Sequence, residues 1–581
     1  MNSTNEMSGL TRRTFMTLAG GAAGVAALSS FGIPTGWAAN KPKVAPADVS
    51  LALDTTDVLV IGGGMAGLFA AVKAHDAGAD VMILSKGRLG SSGQTPFAKG
   101  IFVYDPGVAG MTLDEFVDSV SRSALGSNNP LYTRQMAGNS LARVKELREW
   151  GFFESPLYNN CFKRPIAERS IPLLERVMVT HLLKENGMIA GAAGFSADDG
   201  KVHLVAAKSV ILCTGAGGFK PNGFPICDLT HDGTVMAYNI GAKVTGKEWN
   251  DGHPASAENP AACFDGWGNM FEQKPTTTGV DIRHDLGVDM NYRAYVAGGP
   301  VRMGPPHQQE TGQVAGGPYM PLEFMRNAPP GGAGGRHDDT PQRQGKGGPP
   351  PGMRGPRVGG SSSGMAIHKS EGLVPINDRC ESTIPGLYAA GDALGSYMAG
   401  AIYTQIGSSL AGSAVQGAVA GEAAAAFCSS TVAPVIGKET IARVQEEMLA
   451  PLGKEAGYSP AWVTQTLQGI MIPNFVLYIK KEKLLQAALA YVEELRDHHV
   501  GMLRAADFHE LRLAHETANM IISAEMKLRA SIMRTESRCS HFRLDYPEVD
   551  EKNWRAWINI YRGEDGSMKL EKQPFDSWPV A

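Results

Sequence analysis

Asp57-Val58-Leu59-Val60-Ile61-Gly62-Gly63-Gly64-Met65-Ala66-Gly67 is the stretch that decides the fold. An unbroken apolar strand runs straight into a glycine turn, and the helical run Leu68 to Ala77 follows. In such a turn Gly62 permits the tight bend and Gly64 lets the backbone approach a pyrophosphate. Gly67 lets the helix pack on the sheet, and the helix N-terminus faces the negative charge. Gly78-Ala79-Asp80 then closes the helix and Val81-Met82-Ile83-Leu84 supplies a second strand. The completed strand–helix–strand unit predicts an α/β protein with a Rossmann-like dinucleotide-binding domain.

The acid that normally ends the second strand of such a unit, to hold a ribose, is absent; the strand ends in Ser85-Lys86. With the loop through Gln94, Thr95-Pro96-Phe97-Ala98-Lys99-Gly100, this resembles the flavoprotein family of succinate dehydrogenase, fumarate reductase, L-aspartate oxidase and the adenylylsulfate reductase alpha subunit. Two further segments carry the resemblance. Ser209 to Gly218, with Thr214-Gly215, is similar to the family's second glycine loop, and His231-Asp232-Gly233 follows it. Pro385-Gly386-Leu387-Tyr388-Ala389-Ala390-Gly391-Asp392 resembles the closing strand, and Gly407-Ser408-Ser409-Leu410 opens a helix of small residues. The resemblance implies FAD as cofactor, held by Gly62, Gly64, Met65, Ala66, Gly67, Ser85, Lys86, Gln94, Thr95, Gly100, Gly215, Asp232, Asp392, Ser409 and Leu410. Gln94 stands where respiratory members carry a flavin-linked His, which implies non-covalent attachment.

The family architecture divides the chain into an FAD-binding domain at 54–233 and 364–430, an inserted α+β capping and substrate region at 234–363, and a C-terminal helical domain with its tail at 437–581. Within the cap, Glu248-Trp249-Asn250-Asp251-Gly252-His253-Pro254 resembles the segment whose His holds substrate; His253 is either that residue or a His packed on a Pro turn. The family's other dicarboxylate signatures fail. Gly359-Gly360-Ser361-Ser362-Ser363-Gly364 lacks the expected His, and Thr404 stands where a carboxylate-clamping Arg belongs. A neutral side chain cannot replace a bidentate guanidinium. Next to it, Tyr403 is either a proton donor for a flavin-mediated C=C reduction, as in related ketosteroid dehydrogenases, or a ring packed on the flavin. Tyr397 is the weaker alternative. Arg293, in Asn291-Tyr292-Arg293, is an anion contact or an ordinary surface Arg.

Bulk properties narrow the partners. Lys plus Arg total 54 against 58 for Asp plus Glu, so no basic field points to nucleic acid. The 7 cysteines never fall as CxxC or CxxCH, which excludes a four-Cys iron–sulfur site or a c-type haem; they are disulfides or buried thiols. The resemblance to adenylylsulfate reductase then implies a separate redox partner, ferredoxin-like or cytochrome, and a small-molecule substrate is expected. No metal site is expected, since His498-His499, His509 and His515 lack a second ligand pair and read as solvent-exposed.

At the start, Thr11-Arg12-Arg13-Thr14-Phe15-Met16 precedes the apolar run Leu18 to Phe31 and a small-residue site near Gly36-Trp37-Ala38. Residues 1–39 read as a twin-arginine signal, which exports folded proteins to the periplasm or another extracytoplasmic space. No other stretch is long enough to span a membrane. Residues 298–360 are rich in Gly, Pro, Arg and Gln, and form an inert insertion, a lid or a docking arm. From 437 the chain reads as helices at 439–452, at 460–499 with breaks at Gly469 and Pro473, and at 508–533, the last capped by Asp507. Glu536-Ser537-Arg538-Cys539-Ser540-His541-Phe542-Arg543 and the tail from Asn553-Trp554 resemble family segments, the tail most like adenylylsulfate reductase.

The leading functional expectation is an exported FAD-dependent oxidoreductase that reduces, or forms, an activated C=C bond by hydride transfer at flavin N5. The alternatives are sulfur-oxyanion chemistry and a flavin electron-transfer subunit of a periplasmic complex.

Overall fold

The computed structural model describes residues 49–97, 100–107, 109–152, 158–219, 229–250, 255–256, 272–274, 357–358, 371–401, 407–472 and 474–577. The expected signal, the Gly/Pro-rich stretch apart from 357–358, and most of the expected cap lie outside them. Among the described residues no helix is long and apolar enough to cross a membrane.

The glycine turn sits inside a seven-stranded sheet. Strand β1 (Leu51–Ile61) begins before the apolar run predicted from Asp57, and helix α1 (Met65–Asp76) returns the chain to β2 (Val81–Ser85). The extension is explained by pairing: Leu51 to Ile61 runs parallel to Val202–Leu212 along its length, so a half-exposed segment of mixed polarity joins the sheet through its backbone. After helices α2 (Leu113–Ser123), α3 (Pro130–Glu149) and α4 (Tyr158–Glu168) come β3 (Leu173–Glu175) and the meander β4 (Val177–Glu185), β5 (Met188–Ser196) and β6 (Val202–Leu212). The strand order is β3-β2-β1-β6-β5-β4; β1, β2, β3 and β6 are parallel and the meander antiparallel. Such a parallel core is buried on both faces, which is why Val58–Ile61 and Val210–Leu212 read as continuous apolar runs.

Helix α5 (Asp232–Asn239) and strand β7 (Val244–Thr245) lead into the expected cap. The chain returns through β8 (Gly372–Leu373) and β9 (Leu387–Ala389), which pairs in parallel with the tip of β6, and enters helix α6 (Ser408–Ser429). Small residues let α6 lie directly on α1. A Cβ on Gly417 would stand 2.3 Å from the Ala66 carbonyl oxygen, and one on Gly421 2.4 Å from that of Ala70. This backbone contact fixes both helix starts above the same sheet edge.

The C-terminal region holds α7 (Lys438–Leu449), α8 (Pro460–Met471), α9 (Glu482–Glu494) and α10 (Phe508–Met533). Gly469 does not break α8, contrary to expectation; nothing lies near it, so the helix only forgoes about 1 kcal/mol of propensity. Helix α10 starts where its cap predicts: Asp507 Oδ1 accepts from the Glu510 amide at 2.9 Å, and Glu510 accepts from the Ala506 amide at 2.8 Å. Exposure holds for His498 and His509, but His499 stacks on Tyr458 at 4.4 Å, and His515 is half-buried with Nε2 donating to the Met448 carbonyl. The tail is more than an appendage. Strands β10 (Ala556–Arg562) and β11 (Met568–Pro574) form a hairpin that completes a sheet in the order β8-β7-β10-β11, so chain end and cap root share one element.

Candidate cofactor cleft and its charged neighbour

The tips of the parallel strands surround a cleft that opens to solvent, with about 900 Å³ of space between its walls and across its mouth. Gly62 has φ +121°, and a Cβ there would lie 2.1 Å from the Cys213 carbonyl oxygen; the tight turn is thus imposed by contact with the tip of β6. A Cβ on Gly67 would stand 1.9 Å from the Gly62 oxygen, so Gly67 serves the turn and does not line the cleft. Gly64 does line it: its missing Cβ would meet only Thr95 Oγ1, at 3.3 Å. Thr95 Oγ1 also accepts from the Met65 amide at 3.2 Å and joins the polar loop to the start of α1.

Lys86, just after β2, meets acids from elsewhere in the chain. Lys86 Nζ lies 2.7 Å from Asp232 Oδ2, 2.7 Å from Thr230 Oγ1 and 3.0 Å from Glu516 Oε1. Asn519 Nδ2 donates to the other Asp232 oxygen at 2.8 Å. Burial pushes the Asp232 carboxyl up, but the Lys86 charge and the hydrogen bonds from Lys86, Asn519 and Thr230 outweigh it and hold the group below its usual range. At the opposite end, Gln94 Nε2 donates to Asp392 Oδ2 at 3.3 Å, so two segments 298 residues apart meet across the cleft. The turn beneath Asp392 is pinned by buried Gln416, whose Oε1 accepts from the Gly391 amide at 2.9 Å.

Of the expected cofactor residues, Gly62, Gly64, Met65, Ala66, Ser85, Lys86, Gln94, Thr95, Gly215, Asp232 and Asp392 line this cleft. Gly100 opens the short strand Gly100–Phe102. Leu410 is buried in the main core, while Ser409 presents a buried hydroxyl with no hydrogen-bond partner among the described residues. Sequence reading missed Thr214, Val177, Val179, Met236 and Ser413, which also line the cleft. Val177 and Val179 come from the meander, where no motif marks them. Thr214 was legible as the neighbour of Gly215, and its buried hydroxyl has no hydrogen-bond partner among the described residues.

A dinucleotide fits these features. Gly215 faces open space, Gly64 has only the Thr95 hydroxyl beside it, the N-cap residues of α1, α5 and α6 supply no side-chain cap, and the unpartnered Thr214 hydroxyl lines the wall.

The catalytic candidates His253, Arg293 and Tyr403 lie outside the described residues. Tyr397 is described and does not line the cleft: it stacks on Trp557 at 4.9 Å and its hydroxyl is bonded to Thr245. Burial and the nearby Glu248 raise its pKa well above the usual value, which suits a packed phenol.

The approach to His253 is held by charge. Lys527 Nζ donates to the carbonyls of Lys247 (2.8 Å) and Trp249 (2.7 Å), and Lys480 Nζ to that of Glu248 (2.6 Å). Three consecutive carbonyls are therefore gripped by two fully buried lysines. Arg534 meets the Glu248 carboxylate at 2.9 Å and lies 4.5 Å over the Trp249 ring, and Ser540 Oγ accepts from the Asn250 amide at 3.2 Å. The expected Glu536-to-Arg543 motif builds this seam: Glu536 accepts from both Arg534 and Arg538 at 2.8 Å. Burial, then Lys527, drives the Lys480 pKa well down; burial, then Lys480, does the same to His541; burial lowers Lys527 to about 8. Sequence reading found this motif and the segment holding Trp249 but missed Lys480 and Lys527, which carry no pattern of their own.

Comparison with known proteins accords with this geometry. The FAD dependent oxidoreductase model matches residues 57–220, and the fumarate reductase flavoprotein C-term model matches 464–580. An uncharacterized FAD-dependent oxidoreductase of Methanocaldococcus jannaschii is 26% identical over 90% of this chain and 99% of its own. The chain is a member of the FAD-dependent oxidoreductase family. A fumarate reductase flavoprotein from Mycobacterium tuberculosis is 25% identical over 90% of this chain and 98% of that one. Among solved structures, adenylylsulfate reductase from Archaeoglobus fulgidus shares the fold at TM-score 0.68 and 19% identity, covering 92% of this chain and 98% of that one. FAD is the cofactor of this oxidoreductase, and the cleft between the β2 and β9 tips has the glycine turns and polar lining that such a dinucleotide needs.

Proposed function

We propose that this FAD-dependent oxidoreductase is an exported enzyme that reduces, or in reverse forms, an activated C=C bond in a substrate other than fumarate. Bound in the cleft, FAD supplies or accepts a hydride at flavin N5. The protein must then move a proton at the other carbon of the bond. His253 and Tyr403 are the candidate residues for substrate and proton, with Arg293 a candidate anion contact. The observation that carries the reading is the buried clamp on Lys247–Asn250, which spends two lysines and an arginine to fix the backbone leading to His253. Relatives are named for fumarate and for L-aspartate, both small molecules, which favours a small-molecule reaction at that place. Thr404 in place of a clamping Arg turns the reading away from fumarate itself.

The test is an acceptor screen. Purified holoprotein is reduced with dithionite or a viologen, and recovery of the oxidised flavin band is followed with enoates, enones and sulfur oxyanions. Reoxidation by an enoate or enone supports the proposal. Reoxidation only by a sulfur compound, together with bleaching of the oxidised band by sulfite, replaces it with the sulfur-oxyanion reading. Reoxidation only by a ferredoxin-like protein or a cytochrome makes the chain an electron-transfer subunit. Export is tested separately: Arg12→Lys with Arg13→Lys should leave the protein in the cytoplasm of fractionated cells.

A further inference from the structure

Helix α10 bears one polar stripe. Glu516, Asn519, Ser523 and Lys527 fall at i, i+3, i+7 and i+11, within one narrow face of a helix, and span ~16 Å along its axis. The first two reach the cofactor cleft and the last two the chain at Lys247. Glu516 reaches Lys86 at 3.0 Å and Asn519 reaches Asp232 at 2.8 Å, both at the cofactor cleft. Ser523 Oγ bonds His231 Nδ1 at 2.9 Å and accepts from Lys247 Nζ at 3.3 Å. Lys527 holds the carbonyls of Lys247 and Trp249. Glu516, Ser523 and Lys527 are buried and Asn519 is half-buried, in a region otherwise packed with apolar side chains, where polar groups are retained only with their partners in place. His231, caught between Ser523 and the start of α5, has φ +61°, and a Cβ on neighbouring Gly217 would stand 1.9 Å from its ring, so little movement is open to it.

We propose that α10 is a strut linking capture of FAD at Lys86 and Asp232 to the setting of the backbone Val244–Asn250, with Glu516, Asn519, Ser523 and Lys527 as positioning residues. The link rests on the reading above only in taking that backbone as the substrate wall; the contacts themselves are independent of which substrate is used. Cofactor that fixes Asp232 and Lys86 fixes the rod bearing Asn519 and Glu516, and the same rod carries Lys527 to the wall. By linkage, loosening the wall end must weaken FAD as much as FAD tightens the wall.

The experiment strips the full-length chain of FAD, titrates it back by flavin fluorescence, and follows amide hydrogen exchange at 244–250 with and without FAD. In the unaltered chain FAD should slow exchange there severalfold. Asn519→Ala should weaken FAD about tenfold, the effect of one hydrogen bond to a charged group. Lys527→Met should weaken FAD severalfold from the far end of the stripe and abolish the slowing at 244–250, and Lys527→Arg should restore both. Ser523→Ala removes one hydroxyl midway and serves if Asn519→Ala does not fold. Exchange at 244–250 that ignores FAD, or Lys527→Met and Ser523→Ala chains that bind FAD as the parent does, overturns the proposal. Neither readout uses turnover, so failure here and failure of the acceptor screen are separate results.

Discussion

The cofactor cleft and the seam beneath Val244–Asn250 are built in opposite ways. The cleft rests on backbone, with glycine turns and helix starts that lack an N-cap side chain, and its polar side chains stand at the rim of those turns. The seam is made of side chains, with Lys480, Lys527, Arg534, Arg538, Glu248, Glu536 and His541 all buried and bonded to one another or to carbonyls, although Glu248 uses only its Oε1. Backbone sites tolerate change in most neighbours but no added atom. Charged seams tolerate volume changes but no lost partner, because an unpaired buried ion costs far more than the pair gains.

The largest effect that would sharpen this contrast is expected in the seam. Glu536→Ala removes the carboxylate that buried Arg534 and Arg538 share, leaving Arg534 with Glu248 and Arg538 with the exposed Glu551, and should cost about 3–5 kcal/mol in urea unfolding. A loss below about 1 kcal/mol would mean that water replaces the carboxylate and that the seam is not the dry network described. In the cleft, Gly62→Ala meets the Cys213 oxygen and a φ of +121°; it should cost about 1–3 kcal/mol and, above all, lower the ratio of FAD to protein in the purified chain. Full FAD occupancy in that variant would break the comparison from the other side.

Acid should act on histidines away from the cleft. Burial lowers the His515 pKa from 6.5 to about 4. The unfolded chain therefore takes up a proton below pH 6.5 that the folded chain refuses until about pH 4, so stability falls as pH drops through that window. His515→Gln, which can still donate to the Met448 carbonyl, should lessen the loss between pH 7 and pH 5 by about 2 kcal/mol in unfolding titrations. An unchanged acid profile would place the titrating groups elsewhere. The smallest effect is expected for Gln94→Ala, which removes one long hydrogen bond to Asp392 and should weaken FAD by less than about tenfold by fluorescence titration. A complete loss of flavin would make Gln94 a principal anchor.

The contrast also explains what could be read in advance. The glycine turn, the β2 tip, Gly215, Asp232 and Asp392 were legible because a phosphate-approaching backbone needs particular residue types at fixed offsets from strand and helix starts. Helix α10 was legible because its cap and apolar period agree. Lys480 and Lys527 were not, since a lysine on a helix or strand in sequence looks the same whether it faces water or three carbonyls. The extension of β1 to Leu51 escaped for a similar reason: its alternating, half-exposed residues become a strand only through pairing with β6.

By itself, then, the sequence determined that this chain builds a Rossmann-like α/β domain with FAD segments near 62, 215 and 392, because local steric and hydrogen-bonding requirements write themselves into local sequence. Only the tertiary structure decided that Lys86 after β2 meets Asp232, that the tail hairpin completes the sheet that carries Val244–Thr245, and that one face of α10 joins the cofactor cleft to the backbone at Lys247–Trp249. Those arrangements depend on side chains hundreds of residues apart meeting in a low-dielectric interior, where each charge must find its partner and no local pattern records which one it finds.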